Sequence, residues 1–149
     1  MRIISLIIFL LSFKCYSQFK VTYQDIQKKY EPLIFEDSFI ETKEINEFQS
    51  AIFCFSKKDS ILLNVTYKHL NFYTEKDFFD LANELISNYS PVKKRSWENW
   101  NLIYDEKNKM IIVKVFDNHF KEKIKEISFI NDVKTVEMML RLFDAKWSD

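Results

Sequence analysis

The chain contains no glycine in 149 residues, which limits both the turns it can make and the sites it can build. Glycine reaches positive φ without steric cost and lets backbone N–H groups approach a bound anion closely. The phosphate-binding P-loop and the dinucleotide fingerprint are therefore excluded. So are the strained nucleophile elbow of lipase-like hydrolases and the calcium loop of the EF-hand, each of which needs glycine at a fixed position. Reversals must use other residues. Asn and Asp tolerate left-handed backbone best among them, and Asp59, Asp105, Asn108, Asp117 and Asn118 stand where turns are needed.

At the N-terminus Arg2 precedes the apolar run 3–13, followed by Lys14, Cys15, Tyr16, Ser17 and Gln18. This is the layout of a signal peptide, with Cys15 and Ser17 as the small residues before a cut at Gln18. The run falls short of the roughly 20 apolar residues that cross a bilayer. Residues 1–17 are thus expected to be removed, leaving one domain over 18–149 that is periplasmic or secreted and has no stable membrane anchor. The alternative is a lipid anchor on Cys15, against which the bulky Lys14 argues.

Loss of Arg2 and Lys14 lowers Lys+Arg from 22 by two, against 22 Asp+Glu, for a net charge of −2. That balance offers no basic excess for nucleic acid. Cys54 would be the single remaining cysteine, so no disulfide forms within the chain and stability must come from the core. Fifteen Phe in the full chain supply bulky material for it.

The pattern along the chain alternates helices and strands. Residues 21–30 read as a short helix with Thr22 as cap, Asp25 completing a capping box and Val21 stapled onto Ile26. Residues 33–47 fit neither period. Residues 48–55 and 61–67 read as a hairpin, with Ile61, Leu63, Val65 and Tyr67 on one face and Leu62 opposite. Thr74 caps a helix carrying Phe78, Leu81, Ala82, Leu85 and Tyr89, and Pro91 closes it. Residues 100–104 and 110–116 form a second hairpin, its Met110–Val113 run apolar enough for a central strand. Residues 123–130 favour strand over helix. A last helix over 132–146 carries Val133, Val136, Leu140, Phe143 and Trp147 on one stripe.

These elements predict an α+β fold, a mainly antiparallel sheet of about five strands with two or three helices packed on it. In element order it is similar to the PsbP-like fold, which would imply an α/β sandwich.

Four groups of residues could carry chemistry. Lys93, Lys94 and Arg95 stand just before Trp97 and Trp100, and cations beside flat aromatics suit an anionic or carbohydrate-like surface; a basic loop leading to inward-packed Trp side chains is the plain reading. Asp117, His119 and Glu122, with His69, are the best metal or hydrolytic group, but a polar turn between two strands is the plain reading of the first three, since no His pair or His-Cys spacing accompanies them. Cys54 lies among Ile52, Phe53 and Phe55, where burial would raise its pKa and make it inert. Asp77, Asp80 and Glu84 have the spacing of a solvated helix face. Lys121, Lys123 and Lys125 alternate as they would on a protected sheet edge, and the sequon-like Asn64-Val65-Thr66 falls within a strand. No cofactor is implied. The leading expectation is a non-enzymatic exported domain that binds a protein or cell-envelope component through Lys93, Arg95, Trp97 and Trp100. The alternatives are a small hydrolase or metal-dependent enzyme using Asp117, His119 and Glu122, and a structural or assembly protein.

Overall fold

The structure is a computed structural model that describes residues 19–30, 33–34, 40–120 and 122–144. The leader with Cys15 and the cut after Ser17, Lys121, and the end of the last helix with Trp147 lie outside the described residues.

Three helices and one antiparallel sheet make up the fold. The helices are α1 (Tyr23–Lys29), α2 (Glu75–Leu85) and α3 (Val133–Asp144). The strands are β1 (Leu33–Ile34), β2 (Ile40–Asn46), β3 (Gln49–Phe55), β4 (Leu62–Tyr73), β5 (Pro91–Trp97), β6 (Trp100–Asp105), β7 (Met110–Phe116) and β8 (Ile124–Ile130). Their spatial order is β1-β2-β3-β4-β8-β7-β6-β5, two antiparallel meanders joined along the β4–β8 seam, with α2 crossing from one to the other.

The α+β class agrees with the sequence reading, but the sheet has seven strands of six residues or more, plus the short β1, where about five were expected. The missed strands are polar. β2 reads Ile-Glu-Thr-Lys-Glu-Ile-Asn, and its Lys43 is fully buried, so charge hides the alternation. β5 is the segment taken for a basic loop. It is an edge strand with almost every residue exposed, so neither period appears in it, and Pro91 sits at its first position, where no ladder N–H is required.

Helix α1 begins with the expected capping box of Thr22 and Asp25, and at α2 the expected cap Thr74 also exchanges hydrogen bonds with Asp77, whose spacing alone suits a solvated face. They bury Ile26, Phe78, Ala82 and Leu85 on one sheet face, against Phe53, Val65, Tyr67, Ile112, Ile127 and Phe129. Helix α3 packs on the opposite face, where Val136 meets Leu102, Ile111 and Val113. The middle strands are covered on both sides, which is why Met110 to Lys114 is buried throughout.

Two departures in β4 follow from bulges. Between Cys54↔Asn64 and Phe55↔Leu62 the register slips at Leu63, so Leu62 turns into the core with Val65 and Tyr67, while Leu63 is only half-buried. The strand also continues beyond Tyr67 to Tyr73, with a second slip between Lys68↔Glu126 and Tyr73↔Ile124.

The turns carry the cost of a glycine-free chain in an unforeseen way. Positive φ falls on Ser60 (58°), Phe72 (76°), Asn88 (53°), Glu98 (44°) and Lys109 (47°), and only one of these is Asn or Asp. The acidic and amide turn residues act through their side chains instead: Asn46 Oδ1 accepts from Phe48 N at 2.9 Å, Asp105 Oδ1 from Asn108 N at 3.0 Å, and Asp117 Oδ1 from His119 N at 2.8 Å. An L-residue in the left-handed region costs roughly 1–2 kcal/mol, partly offset for glycine by its greater unfolded-state entropy. Lys109→Gly should therefore stabilise the domain by about 0.5–1 kcal/mol, read as a higher urea midpoint at unchanged m; a lower midpoint would mean that Lys109 contributes contacts exceeding its strain.

Candidate functional site

Directly opposed residues in neighbouring antiparallel strands share a face. Following the register across the sheet therefore lines up side chains far apart in sequence. Trp97 opposes Trp100, Trp100 opposes Val115, and Val115 opposes Glu126. Glu126 opposes Lys68, Lys68 opposes Ser50, and Ser50 opposes Glu44. These seven residues form one row at right angles to the strands, on the face that carries α3.

The helix leaves this row open because of how it is tied down. At its start, Asp132 Oδ2 accepts from Thr135 N at 2.9 Å, and Asn64 Oδ1 in β4 accepts from Asn131 N at 3.3 Å. At its end, Arg95 Nη1 in β5 donates to Leu142 O at 2.8 Å and Phe143 O at 3.0 Å, satisfying carbonyls of the last turn. Lys93 Nζ stands 3.9 Å from Asp144 Oδ1. Helix α3 thus spans β4 to β5 over Leu102, Ile111 and Val113. The Trp97–Glu44 row runs along its flank.

The sequence-derived site residues consequently do different jobs. Trp97 and Trp100 are 48% and 41% exposed, their ring centroids 6.1 Å apart and tilted by 50°. They are a surface pair at the two-residue turn through Glu98 and Asn99, not the inward-packed core of the plain reading. Arg95 and Lys93 share their sheet face by register, but Arg95 is committed to the helix end.

At the far end of the row, Glu44, Ser50, Lys68, Val115 and Glu126 line a groove of about 680 Å³ together with Phe48, His69 and Leu70. Lys68 Nζ lies 3.7 Å from Glu126 Oε2. The wall at Lys68 is the second β4 bulge. There Leu70 N donates to Phe48 O at 2.8 Å, and His69 Nδ1 accepts from Asn71 N at 2.8 Å. Phe72 is a bulky residue at positive φ, a true backbone outlier. Phe48, Leu70 and Phe120 add exposed apolar side chains at this same end of the sheet. Of the groove residues only His69 and Lys125, which also lines it, were singled out from the sequence, because the adjacency of the others exists only through strand register.

Among the described residues no three of His, Cys, Asp and Glu come together in a way that could hold a metal ion. Asp117 is turned inward onto its own loop, accepting from His119 N, Phe120 N at 3.0 Å and Lys125 Nζ at 2.7 Å. The Lys125 ammonium, with the loop N–H groups, holds the Asp117 carboxyl down to about 2. A carboxyl with a depressed folded value contributes stability that is complete above its unfolded value of about 3.9 and is lost as pH falls through the folded one. The wild-type urea midpoint should thus drop between about pH 4 and 2, and Asp117→Asn should flatten that part of the profile. An unchanged acid limb in the variant would show that other carboxylates govern it.

The other groups resolve simply. Cys54 is half-buried in β3, and burial pushes its thiol up. Asp80 faces Lys76 at 3.8 Å and Glu84 pairs with Lys29, both at the surface. Lys125 lies on β8, an interior strand, and Lys123 precedes it, so the lysines there do not guard an edge. Lys123 Nζ sits 5.1 Å from the Phe72 ring and 4.6 Å from the Phe120 ring. Lys93 and Lys94 do lie on an edge strand, β5.

Fold and site together define an α+β domain with one open strip on a helix-bearing sheet face. No protein-family model matches the chain, and no curated protein matches it. Among solved structures it is similar to a DUF4309 family protein (YjgB) from Bacillus subtilis, at 13% sequence identity and a TM-score of 0.41, over 76% of this chain and 80% of that one. A likeness that loose carries no argument about fold or function. Among the described residues no helix is long and apolar enough to cross a membrane.

Proposed function

We propose that the protein is an exported, non-catalytic binding domain that holds a cell-envelope component on the open strip of its sheet, with Trp97 and Trp100 as anchors. One observation carries the reading: two large aromatic side chains sit 48% and 41% exposed side by side at a turn, at the end of a continuous row of residues on one sheet face. Trp and Tyr are the residues that dominate binding surfaces, because each offers a large rigid area at low entropic cost. The leader layout of residues 1–17 supports export. A cut after Ser17 would remove none of the described core, which begins at Phe19. N-terminal sequencing of the secreted product tests that cut.

The binding test is co-sedimentation with washed cell envelopes. Trp97→Ala/Trp100→Ala should lower the bound fraction at least roughly tenfold, as expected for the loss of two hot-spot residues, with the domain still cooperatively folded. Loss of folding would assign the pair to stability, and undiminished binding would remove it from the site.

A further inference from the structure

The ligand class follows from the chemistry and direction of the row, and the inference rests on the binding role proposed for it. Six strand-to-strand steps separate Trp97 from Glu44, a length of about 29 Å at the usual spacing, so the strip suits a chain molecule. It crosses the strands at right angles. An extended peptide gains its affinity on a sheet by adding a strand to an edge; laid across a face, its N–H and C=O groups would meet no ladder.

Charge removes the polyanions. Lys68, the one cation in the row, stands 3.7 Å from Glu126, Lys125 at the groove is paired with Asp117 at 2.7 Å and Lys93 beside the tryptophans stands 3.9 Å from Asp144; Glu44 and Glu47 add negative charge, and Arg95 is spent on α3. Phosphate or sulfate chains need a run of available cations. An acyl chain or bare lipid surface fits no better, since covering Lys68, Glu126 and Glu44 with hydrocarbon would strip charged groups of water without replacing it.

We propose that the strip binds an uncharged polysaccharide laid across the strands, its sugar rings against Trp97 and Trp100 and its hydroxyls on Lys68, Glu126, Glu44 and Ser50. A sugar ring presents a face of C–H groups, which matches the indole surface, and an edge of hydroxyls that both donate and accept. The carboxylates accept from those hydroxyls, the ammonium donates to them, and the Ser50 hydroxyl does either. The Val115 step between the tryptophans and the ion pair lets apolar contact pass into polar contact along one molecule.

The test titrates the folded domain with neutral hexasaccharides (cello-, malto-, manno- and chitohexaose) and follows tryptophan fluorescence. At least one should give a saturable change whose affinity varies less than twofold between about 0.05 and 0.5 M salt, because screening acts only on charge attraction. Trp97→Ala/Trp100→Ala should abolish the binding, measured by calorimetry. Lys68→Met/Glu126→Gln, which leaves the tryptophans in place, should weaken binding about tenfold, and Trp97→Phe/Trp100→Phe should retain most of it. If no hexasaccharide binds while the Trp97→Ala/Trp100→Ala variant still loses envelopes in the sedimentation assay, the sugar assignment falls and the binding role stands. Preference for polygalacturonate or heparin with steep loss in salt overturns it in the same way. Envelope binding that ignores both tryptophans overturns the two together.

Discussion

Glu75→Ala is expected to destabilise the domain by about 3 kcal/mol, while Lys114→Met costs under about 1 kcal/mol. The asymmetry comes from where the two partners sit. Lys114 lies on central β7 with its side chain 4% exposed, its Nζ held by Glu75 Oε1 at 2.7 Å and Oε2 at 2.9 Å and placed 4.6 Å from the Phe78 ring. Glu75 opens α2 with its side chain 54% exposed. Removing the carboxylate strands a buried ammonium, whereas removing the ammonium leaves a carboxylate that water can reach. The double variant Glu75→Ala/Lys114→Met should regain most of the loss. Urea denaturation of the four proteins closes the cycle, and equal costs for the two single changes would show that the ammonium finds water on its own.

Asp105→Ala should cost about 3–4 kcal/mol, since hydrogen bonds to a charged group are strong and the donors left behind are partly buried. The fully buried carboxylate accepts from Ser90 N at 3.0 Å, Asn108 N at 3.0 Å and Asn108 Nδ2 at 2.8 Å. It ties the β6–β7 turn to the chain entering β5. Amide exchange at Ser90 and Asn108 should accelerate together, and the β5–β6 hairpin that presents Trp97 and Trp100 should open with them. A variant that keeps both amides protected would mean that the turn is held by Lys109 N on Glu106 O alone.

What was legible beforehand was local. Thr22 with Asp25, and Thr74 alone, announce two helix starts, because a cap is made within four residues. The run Met110 to Val113 announces a strand covered on both faces. Arg95 shows the opposite case. Its place beside tryptophans suggested a ligand, yet its guanidinium meets carbonyls 47 and 48 positions away, at Leu142 and Phe143. Phe72 likewise carries no sequence sign of left-handed backbone.

The chain's own order of residues determined the α+β class, the helix starts, the central strand and the exclusion of glycine-dependent phosphate and acyl sites, all of which depend on neighbours within a turn or a strand. Tertiary structure alone decided that the tryptophans face outward, that Asp117 serves its loop, and that Lys68, Glu126, Ser50 and Glu44 join Trp97 and Trp100 in one row. The reason is register. Each strand presents alternate residues to a face, so which side chains meet across seven strands depends on two β4 bulges and on pairings between segments dozens of residues apart.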